Sequence, residues 1–295
     1  MARFGPVVTA MVTPFAGDGS LDTGACAALA RWLVDHGSDA LVVAGTTGES
    51  PVLTDPERIA LFEAVRGAVD VPLIAGSTTN DTAHSVEMTV AAADAGMDAV
   101  LAVVPYYNKP TQVGLEAHFR AVSAATELPV VLYDVPGRTG RRLAPDTTLR
   151  LAREVDTVVG LKDAGGDPAA TGALIAAAPA GFEVYSGDEP LTLAFAAYGA
   201  VGVIGVSSHW TGRQQQEMFA ALAKGDAAAA REINARLLPS YRYMNGETCV
   251  FSQSVKVAMN VLGLDVGACR LPLGPAPDGT DTAARTVLRD LGYDL

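Results

Sequence analysis

Hydrophobic residues fall along the chain in short unbroken runs, each followed by a stretch in which they recur every three to four positions. The runs are Val7–Val12, Ala40–Val43, Pro72–Ala75, Ala99–Val103, Pro129–Tyr133, Val158–Leu161, Phe182–Tyr185 and Val201–Gly205. Continuous apolar runs of this length, bounded by turn residues, read as strands buried on both faces. The stretches that follow read as amphipathic helices: Asp22–His36, Pro56–Val69, Thr82–Ala95, Leu115–Ala125, Pro145–Arg153, Pro168–Ala177, Pro190–Tyr198 and Gln214–Lys224. In the first, Ala27, Leu29, Ala30, Leu33 and Val34 share one face. Asp55-Pro56, Ala144-Pro145 and Asp167-Pro168 place proline in a first helical turn, with Asp55 and Asp167 as caps. Gly37 and Gly96 stand just past helical patterns, where C-terminal glycines belong.

Alternating buried strands and helices predict an α/β chain with a parallel sheet covered on both sides. Such a sheet can lie open and doubly wound or close on itself. Eight units within residues 1–225 favour the (β/α)8 TIM barrel, whose usual length is about 250 residues. No G-x-G-x-x-G follows the first run, so the mark of a dinucleotide-binding sheet is missing. After Gly225 the pattern changes. Asp226–Leu238, Tyr241–Met244, Val250–Leu262 and Thr282–Leu291 read as helices with no strand between them, and the proline-containing Leu271–Gly279 reads as a loop. Residues 1–225 are therefore expected to form a catalytic barrel. Residues 226–295 should form a helical extension packed on it or on a neighbouring subunit.

Composition narrows the function. With 49% hydrophobic and 18% charged residues the chain has the makings of a folded core. A net charge of −12 without a basic cluster argues against a nucleic-acid partner. Cys26, Cys249 and Cys269 show no metal-ligand spacing and fit a reducing compartment, so no metal is expected. Met1–Phe15 lacks the charged-then-apolar layout of a signal peptide, and no apolar run approaches the ~18–20 residues of a membrane span. A cytoplasmic protein with no membrane partner is expected.

Only four lysines occur, and they can be weighed one by one. Lys224 precedes Gly225 at a helix end, Lys256 sits in an apolar helical stretch, and Lys109 lies in a proline-flanked loop. Lys162 alone ends a buried run, Val158-Val159-Gly160-Leu161, and a glycine-bearing turn follows. Apolar surroundings lower a lysine's pKa and make its amine a nucleophile toward carbonyls. A strand-end lysine can equally reach solvent or pair with Asp163.

In a barrel the strand C-termini and the loops after them carry the chemistry. They bring Gly45-Thr46-Thr47-Gly48-Glu49-Ser50, Pro105-Tyr106-Tyr107-Asn108-Lys109, Tyr133, Arg138, Lys162, Gly187 and Ile204 to one face. An imine on a lysine needs hydroxyls to move protons, which Tyr and Thr supply. Backbone N–H groups around Thr46 and Thr47 make a carboxylate cradle. Arg138 offers a planar fork for a second carboxylate. Each residue alone has a plainer explanation: a structural tyrosine, an ordinary Thr-Thr turn, a rim ion pair at Arg138, a subunit contact at Tyr106-Tyr107. Gathered on one face, they point to a ketone-using Schiff-base lyase.

Four segments carry a closer likeness. Gly45-Thr46-Thr47-Gly48-Glu49-Ser50, Pro105-Tyr106-Tyr107-Asn108-Lys109-Pro110, Tyr133-Asp134-Val135-Pro136-Gly137-Arg138-Thr139-Gly140 and Val159-Gly160-Leu161-Lys162-Asp163 resemble, in order, the dihydrodipicolinate synthase family. Thr9-Ala10-Met11-Val12-Thr13-Pro14-Phe15 is similar to the opening of its superfamily. The resemblance implies a lyase that condenses pyruvate with L-aspartate 4-semialdehyde in lysine and diaminopimelate biosynthesis. It implies no cofactor beyond the covalent Schiff base on Lys162. Tyr133, Thr46, Thr47 and a Tyr107 borrowed from a partner subunit would relay protons. Thr47 would bind the pyruvate carboxylate, Arg138 that of the semialdehyde, and the Ile204 backbone and Gly187 would line the pyruvate pocket. A homotetramer built from tight dimers is implied as well.

The chain departs from the family's pattern in places. Asp134 stands where many members have Asn. Asp55 and Arg58 occupy positions that are His in lysine-inhibited members, and His84 replaces a common Glu, while Asn80 and Tyr106 agree. Adding Arg58 and His84 while losing an acidic group should weaken the binding of cationic lysine, so weak or absent feedback is expected. The stretch Gly246–Val255 also differs from the family's pattern without an evident reason. A related aldolase of the N-acetylneuraminate lyase kind shares the lysine and tyrosine but generally lacks the Pro-Gly-Arg-Thr-Gly arrangement. A paralogue using another aldehyde and a non-enzymatic barrel are the remaining alternatives.

Overall fold

The strands are β1 (Val7–Ala10), β2 (Ala40–Val43), β3 (Leu73–Ala75), β4 (Ala99–Val103), β5 (Val130–Asp134), β6 (Val158–Asp163), β7 (Glu183–Ser186) and β8 (Gly202–Gly205). In the computed structural model, which describes residues 2–246 and 249–295, each pairs in parallel with the next and β8 closes on β1. The open-sheet alternative is thereby removed; the fold is a (β/α)8 TIM barrel. Side chains alternate along each strand between the interior and the helices. Val8, Val42, Val131, Tyr185 and Ile204 fill the barrel. Val100, Ala102, Val130, Leu132, Leu161 and Val184 instead pack outward against helices. This two-sided burial explains the unbroken apolar runs.

The surrounding helices are α1 (Thr23–Asp35), α2 (Asp55–Arg66), α3 (Thr82–Asp94), α4 (Gln112–Ala124), the single turn α5 (Pro136–Thr139), α6 (Pro145–Glu154), α7 (Pro168–Ala177), α8 (Thr192–Ala197) and α9 (Ser208–Ala223). Several boundaries differ from expectation. The cap of α2 is Thr54, not Asp55: the Thr54 hydroxyl accepts from the Glu57 N–H, and the Glu57 carboxylate accepts from the Thr54 N–H. That reciprocal pair satisfies two end donors at once. Asp167 does cap α7, accepting from Ala170 N–H at 3.0 Å. Helix α9 begins at Ser208 rather than Gln214, because buried His209, Trp210, Thr211 and Gly212 hold a poorly helix-forming stretch in place.

The extension consists of α10 (Ala227–Met244), α11 (Phe251–Val261) and α12 (Thr280–Asp290). Pro239 does not divide α10 into the two expected helices. The helix runs through it, with Leu237, Ser240, Tyr241 and Met244 buried around the lost ladder bond. These helices pack on the barrel: Val255, Ala258, Met259, Ala284 and Leu288 share an apolar cluster with Leu29, Leu41, Val43 and Phe62.

One buried ion pair fastens the extension to the loop after β2. The Lys256 ammonium on α11 lies 2.8 Å from a Glu49 oxygen, with both side chains at most 2% exposed. Lys256 also donates to the Ala268 carbonyl, and the other Glu49 oxygen accepts from Arg270 N–H.

Candidate active site

Strand register sets the centre. Tyr133 on β5 pairs with Lys162 on β6, which pairs in turn with Tyr185 on β7. All three therefore share the inward parity, while Asp134 and Asp163 pair one step on and point toward the helices. Lys162 is 5% exposed, and its Nζ lies 4.4 Å from the centre of the Tyr133 ring. Burial lowers its pKa to about 8; Glu189 opposes the shift and Arg138 adds to it. Of the other lysines, Lys256 is consumed by its ion pair, Lys224 caps α9, and Lys109 lies exposed on a loop. Lys162 is thus the buried lysine that lines a cavity without being held in an ion pair.

That cavity holds about 330 Å³ and is walled by Thr46, Thr47, Tyr133, Arg138, Lys162, Gly187 and Glu189, among others. Burial raises the Tyr133 phenol to about 12, with the Arg138 charge and the Thr46 hydroxyl acting the other way. The phenol therefore keeps its proton at neutral pH and can donate it. Gly187 leaves room for the lysine beside it. A Cβ there would stand 3.0 Å from Lys162 Cγ and 3.1 Å from Cε, pressing on the side chain that must move. Arg138 rises on α5 at the rim, its guanidinium 4.3 Å above the Phe251 ring.

Glu189 escaped the sequence reading. It is buried directly after Gly187-Asp188, and its carboxylate accepts from Val206 N–H (2.7 Å), Ser207 N–H and hydroxyl (3.0 and 2.7 Å) and Gln215 Nε2 (3.0 Å). These donors hold the carboxylate in place near Lys162, where it favours the protonated amine or iminium. Its position after the glycine of a strand-end turn was the available signal. Phe251, Val206, Met244 and Asn245 also line the cavity and were not singled out, since apolar and amide side chains carry no chemical signature in sequence.

Two expected residues lie elsewhere within the chain. Tyr107 is 88% exposed and outside the cavity, in the left-handed backbone region with φ 73°. Ile204 sits within β8 in the apolar barrel interior, a layer below the cavity wall that Val206 forms.

A sequence model of the dihydrodipicolinate synthetase family matches residues 3–291. The chain belongs to that family. A 4-hydroxy-tetrahydrodipicolinate synthase of Bacillus subtilis is 45% identical, over 98% of this chain and 100% of its own. The crystal structure of a dihydrodipicolinate synthase of Bacillus anthracis superposes with a TM-score of 0.94 at 41% identity, covering all of both chains. A family structure from Cyanidioschyzon merolae, solved with lysine bound, gives 0.95 at 38% identity over 98% of each chain.

Against this family the departures acquire a geometry. Asp134, beside the tyrosine, faces away from the cavity and accepts from Leu143 N–H at 3.0 Å and Arg142 Nε at 3.4 Å. Burial lifts its pKa to about 6. His84 and Asp55 pair with one another at 2.9 Å, and buried Arg58 donates to the Ser50 carbonyl at 2.8 Å. In the stretch Gly246–Val255, Glu247 and Thr248 lie outside the described residues, and Phe251 is the member that meets the cavity. No helix among the described residues is long and apolar enough to cross a membrane, and no group of three or more His, Cys, Asp or Glu among them could hold a metal.

Proposed function

We propose that the protein is a lyase that condenses pyruvate with L-aspartate 4-semialdehyde through a Schiff base on Lys162, giving 4-hydroxy-tetrahydrodipicolinate and one water. The observation that carries this reading is a buried amine with a pKa lowered to about 8, set against a phenol in a cavity rimmed by a guanidinium. Family membership across the chain supports the same activity.

The steps follow from the groups present. The neutral Lys162 amine adds to the pyruvate ketone, and water leaves as the imine forms. Loss of a C3 proton gives an enamine, whose carbon bonds to the aldehyde carbon while the aldehyde oxygen takes a proton. The amino group of the added piece then attacks the imine carbon and displaces Lys162, closing the ring. Tyr133 hands protons in and out, supported by Thr46. Thr47 holds the pyruvate carboxylate and joins the relay; Gly187 shapes the pyruvate pocket, with Ile204 a layer beneath it rather than in its wall. Arg138 grips the semialdehyde carboxylate bidentately. No cofactor enters these steps.

Tyr107 completes the relay from a second copy of the chain, in a homotetramer made of two tight dimers. Its 88% exposure suits a residue that acts across an interface. We place the enzyme in the cytoplasm, with weak or no feedback by lysine, because the Arg58 guanidinium stands, and His84 replaces an acidic group, where a cationic effector would have to sit.

Borohydride reduction with pyruvate, followed by peptide mapping, tests the central claim. The adduct is expected on Lys162; no adduct, or one on Lys109, refutes the mechanism. A coupled assay then compares aspartate semialdehyde with N-acetylmannosamine, and preference for the latter would assign the sugar-acid aldolase reading instead.

A further inference from the structure

A second chamber of about 200 Å³ adjoins the reaction cavity. The two share Thr46, Arg138 and Phe251, so these three side chains form the partition between them. Beyond the partition the walls are mostly apolar: Pro51, Val52, Val250, Pro272 and Leu273. Of the three, Thr46 is too small to close the gap and Arg138 is a flexible side chain at the rim. The aromatic ring of Phe251 is the rigid part.

Phe251 is held firmly for a residue at the start of a helix. Gln253, two positions on, accepts from Val250 N–H and donates to the Leu273 and Pro275 carbonyls at 2.9 and 3.0 Å. Tyr243 donates to the Ser254 carbonyl at 2.8 Å, and Lys256 is locked to Glu49. The helix start cannot slide or rotate without breaking buried polar contacts. The ring is thus presented to the Arg138 guanidinium at 4.3 Å by a fixed support.

We infer that Phe251 is the residue that determines acceptor specificity: its ring orients the Arg138 fork toward the reaction cavity and closes the apolar chamber, restricting the acceptor to a short aldehyde carboxylate. This rests on the proposed condensation, and on Arg138 as the acceptor's carboxylate site. A cation over an aromatic face is held by the ring quadrupole as well as by contact. Losing that hold lets the long arginine side chain sample other rotamers, so the acceptor's carboxylate meets a less ordered fork. Removing the ring also joins the chambers, and additional methylene groups of a longer acceptor then find apolar walls.

The test uses the full-length enzyme with pyruvate and two acceptors lacking an amino group, succinate semialdehyde and the longer adipate semialdehyde. Each forms the new carbon–carbon bond and leaves as a 4-hydroxy-2-oxo acid when water hydrolyses the imine, so product mass reads turnover directly. Phe251→Leu should raise the KM for aspartate semialdehyde about 3- to 10-fold, with pyruvate KM and Lys162 trapping unchanged. Phe251→Tyr, which keeps the ring, should restore it. Phe251→Ala should raise the adipate-to-succinate ratio of kcat/KM about ten-fold or more, from burial of the added methylenes.

An unchanged acceptor KM in Phe251→Leu together with an unchanged chain-length ratio in Phe251→Ala overturns the inference. Equal losses for pyruvate trapping and acceptor use also overturn it, since they mark a merely structural role. Failure of the wild-type enzyme to trap pyruvate on Lys162 would instead refute the condensation itself, so the two failures are distinct.

Discussion

Lys162 should form its imine along a pH profile that an exposed lysine cannot produce. Its pKa falls from 10.5 to about 8, with burial the main cause. Only the neutral amine attacks the ketone, so the rate follows the neutral fraction. At pH 7 that fraction is about one in ten for a pKa near 8, against roughly one in three thousand for an unperturbed amine. The expected gain is therefore about 300-fold at neutral pH, equivalent to ~3 kcal/mol. The assay mixes enzyme with sub-saturating pyruvate, quenches with borohydride at short times, and counts the adduct by intact mass from pH 6 to 10. The initial rate should rise about ten-fold from pH 6 to 7, then bend and level off above about pH 9. A logarithmic rise that continues without a bend beyond pH 10 would refute the reasoning, because it would mean the amine is solvated. The same shift has a stability consequence with a definite sign. Between the folded and unfolded pKa values the unfolded chain binds more protons, so this group makes stability rise with pH across about 8 to 10.5. Below about pH 8 its burial is a standing penalty of about 3 kcal/mol.

Three further outcomes follow from the site and its supports. Arg138→Ala should lower kcat/KM for aspartate semialdehyde about 100-fold, the worth of ~3 kcal/mol of charged hydrogen bonding. It should leave pyruvate trapping intact but move the trapping profile to higher pH, since Arg138 helps depress Lys162; equal loss of both activities would contradict the assignment. A lysine titration of the wild-type enzyme should give no inhibition at micromolar concentrations, and inhibition in that range would show that Arg58 and His84 do not repel the effector. Lys256→Met strands the Glu49 carboxylate in the core and should destabilise by about 3–5 kcal/mol, lowering Tm on the order of 10 °C. Adding Glu49→Gln should recover much of that loss in a thermal melt. A single variant melting like wild type would mean the pair is not buried as described.

The barrel was legible because burial on both faces of every strand leaves an uninterrupted apolar run, a signal that survives without tertiary information. Lys162 stood out because only four lysines occur and it alone ends such a run, yet by itself it read as readily as a solvated or paired strand end; only its neighbours on the same face singled it out. Gly187 is visible in sequence as a turn, but its tight approach to Lys162 appears only when a Cβ is placed there. The start of α9 was hidden because Ser208, His209, Thr211 and Gly212 have low helical preference, and only their burial against the barrel makes them helical. Pro239 misled in the same way, since packing outweighs one missing ladder bond. Phe251 could not have been read at all. An aromatic residue opening a helix looks like ordinary core, and its partner Arg138 is distant in sequence.

The helices after the barrel are then more than a cover. Phe15, at the end of the chain's first apolar segment, lies with the Lys256 ammonium at 4.1 Å from its ring centre and the Arg270 guanidinium also at 4.1 Å. Both cations in turn hold acids on the β2 side: Lys256 pairs with Glu49, and Arg270 pairs with Glu57. Glu49 follows Thr46 and Thr47 within one turn of loop, so the Thr46-Thr47 wall of the cavity is braced from the extension. Phe251, on the same helix as Lys256, meets Arg138. A single rigid element, α11, therefore touches the supports of both ends of the reaction cavity, the Thr end and the Arg end. A shift of α11 by even a fraction of an ångström would alter the spacing between Thr46-Thr47 and Arg138, and misplacement on that scale costs rate steeply. It follows that substitutions under α11, such as at Met259 or Leu288, should disturb substrate affinity before they disturb the barrel, because the barrel's own ladder closes without them.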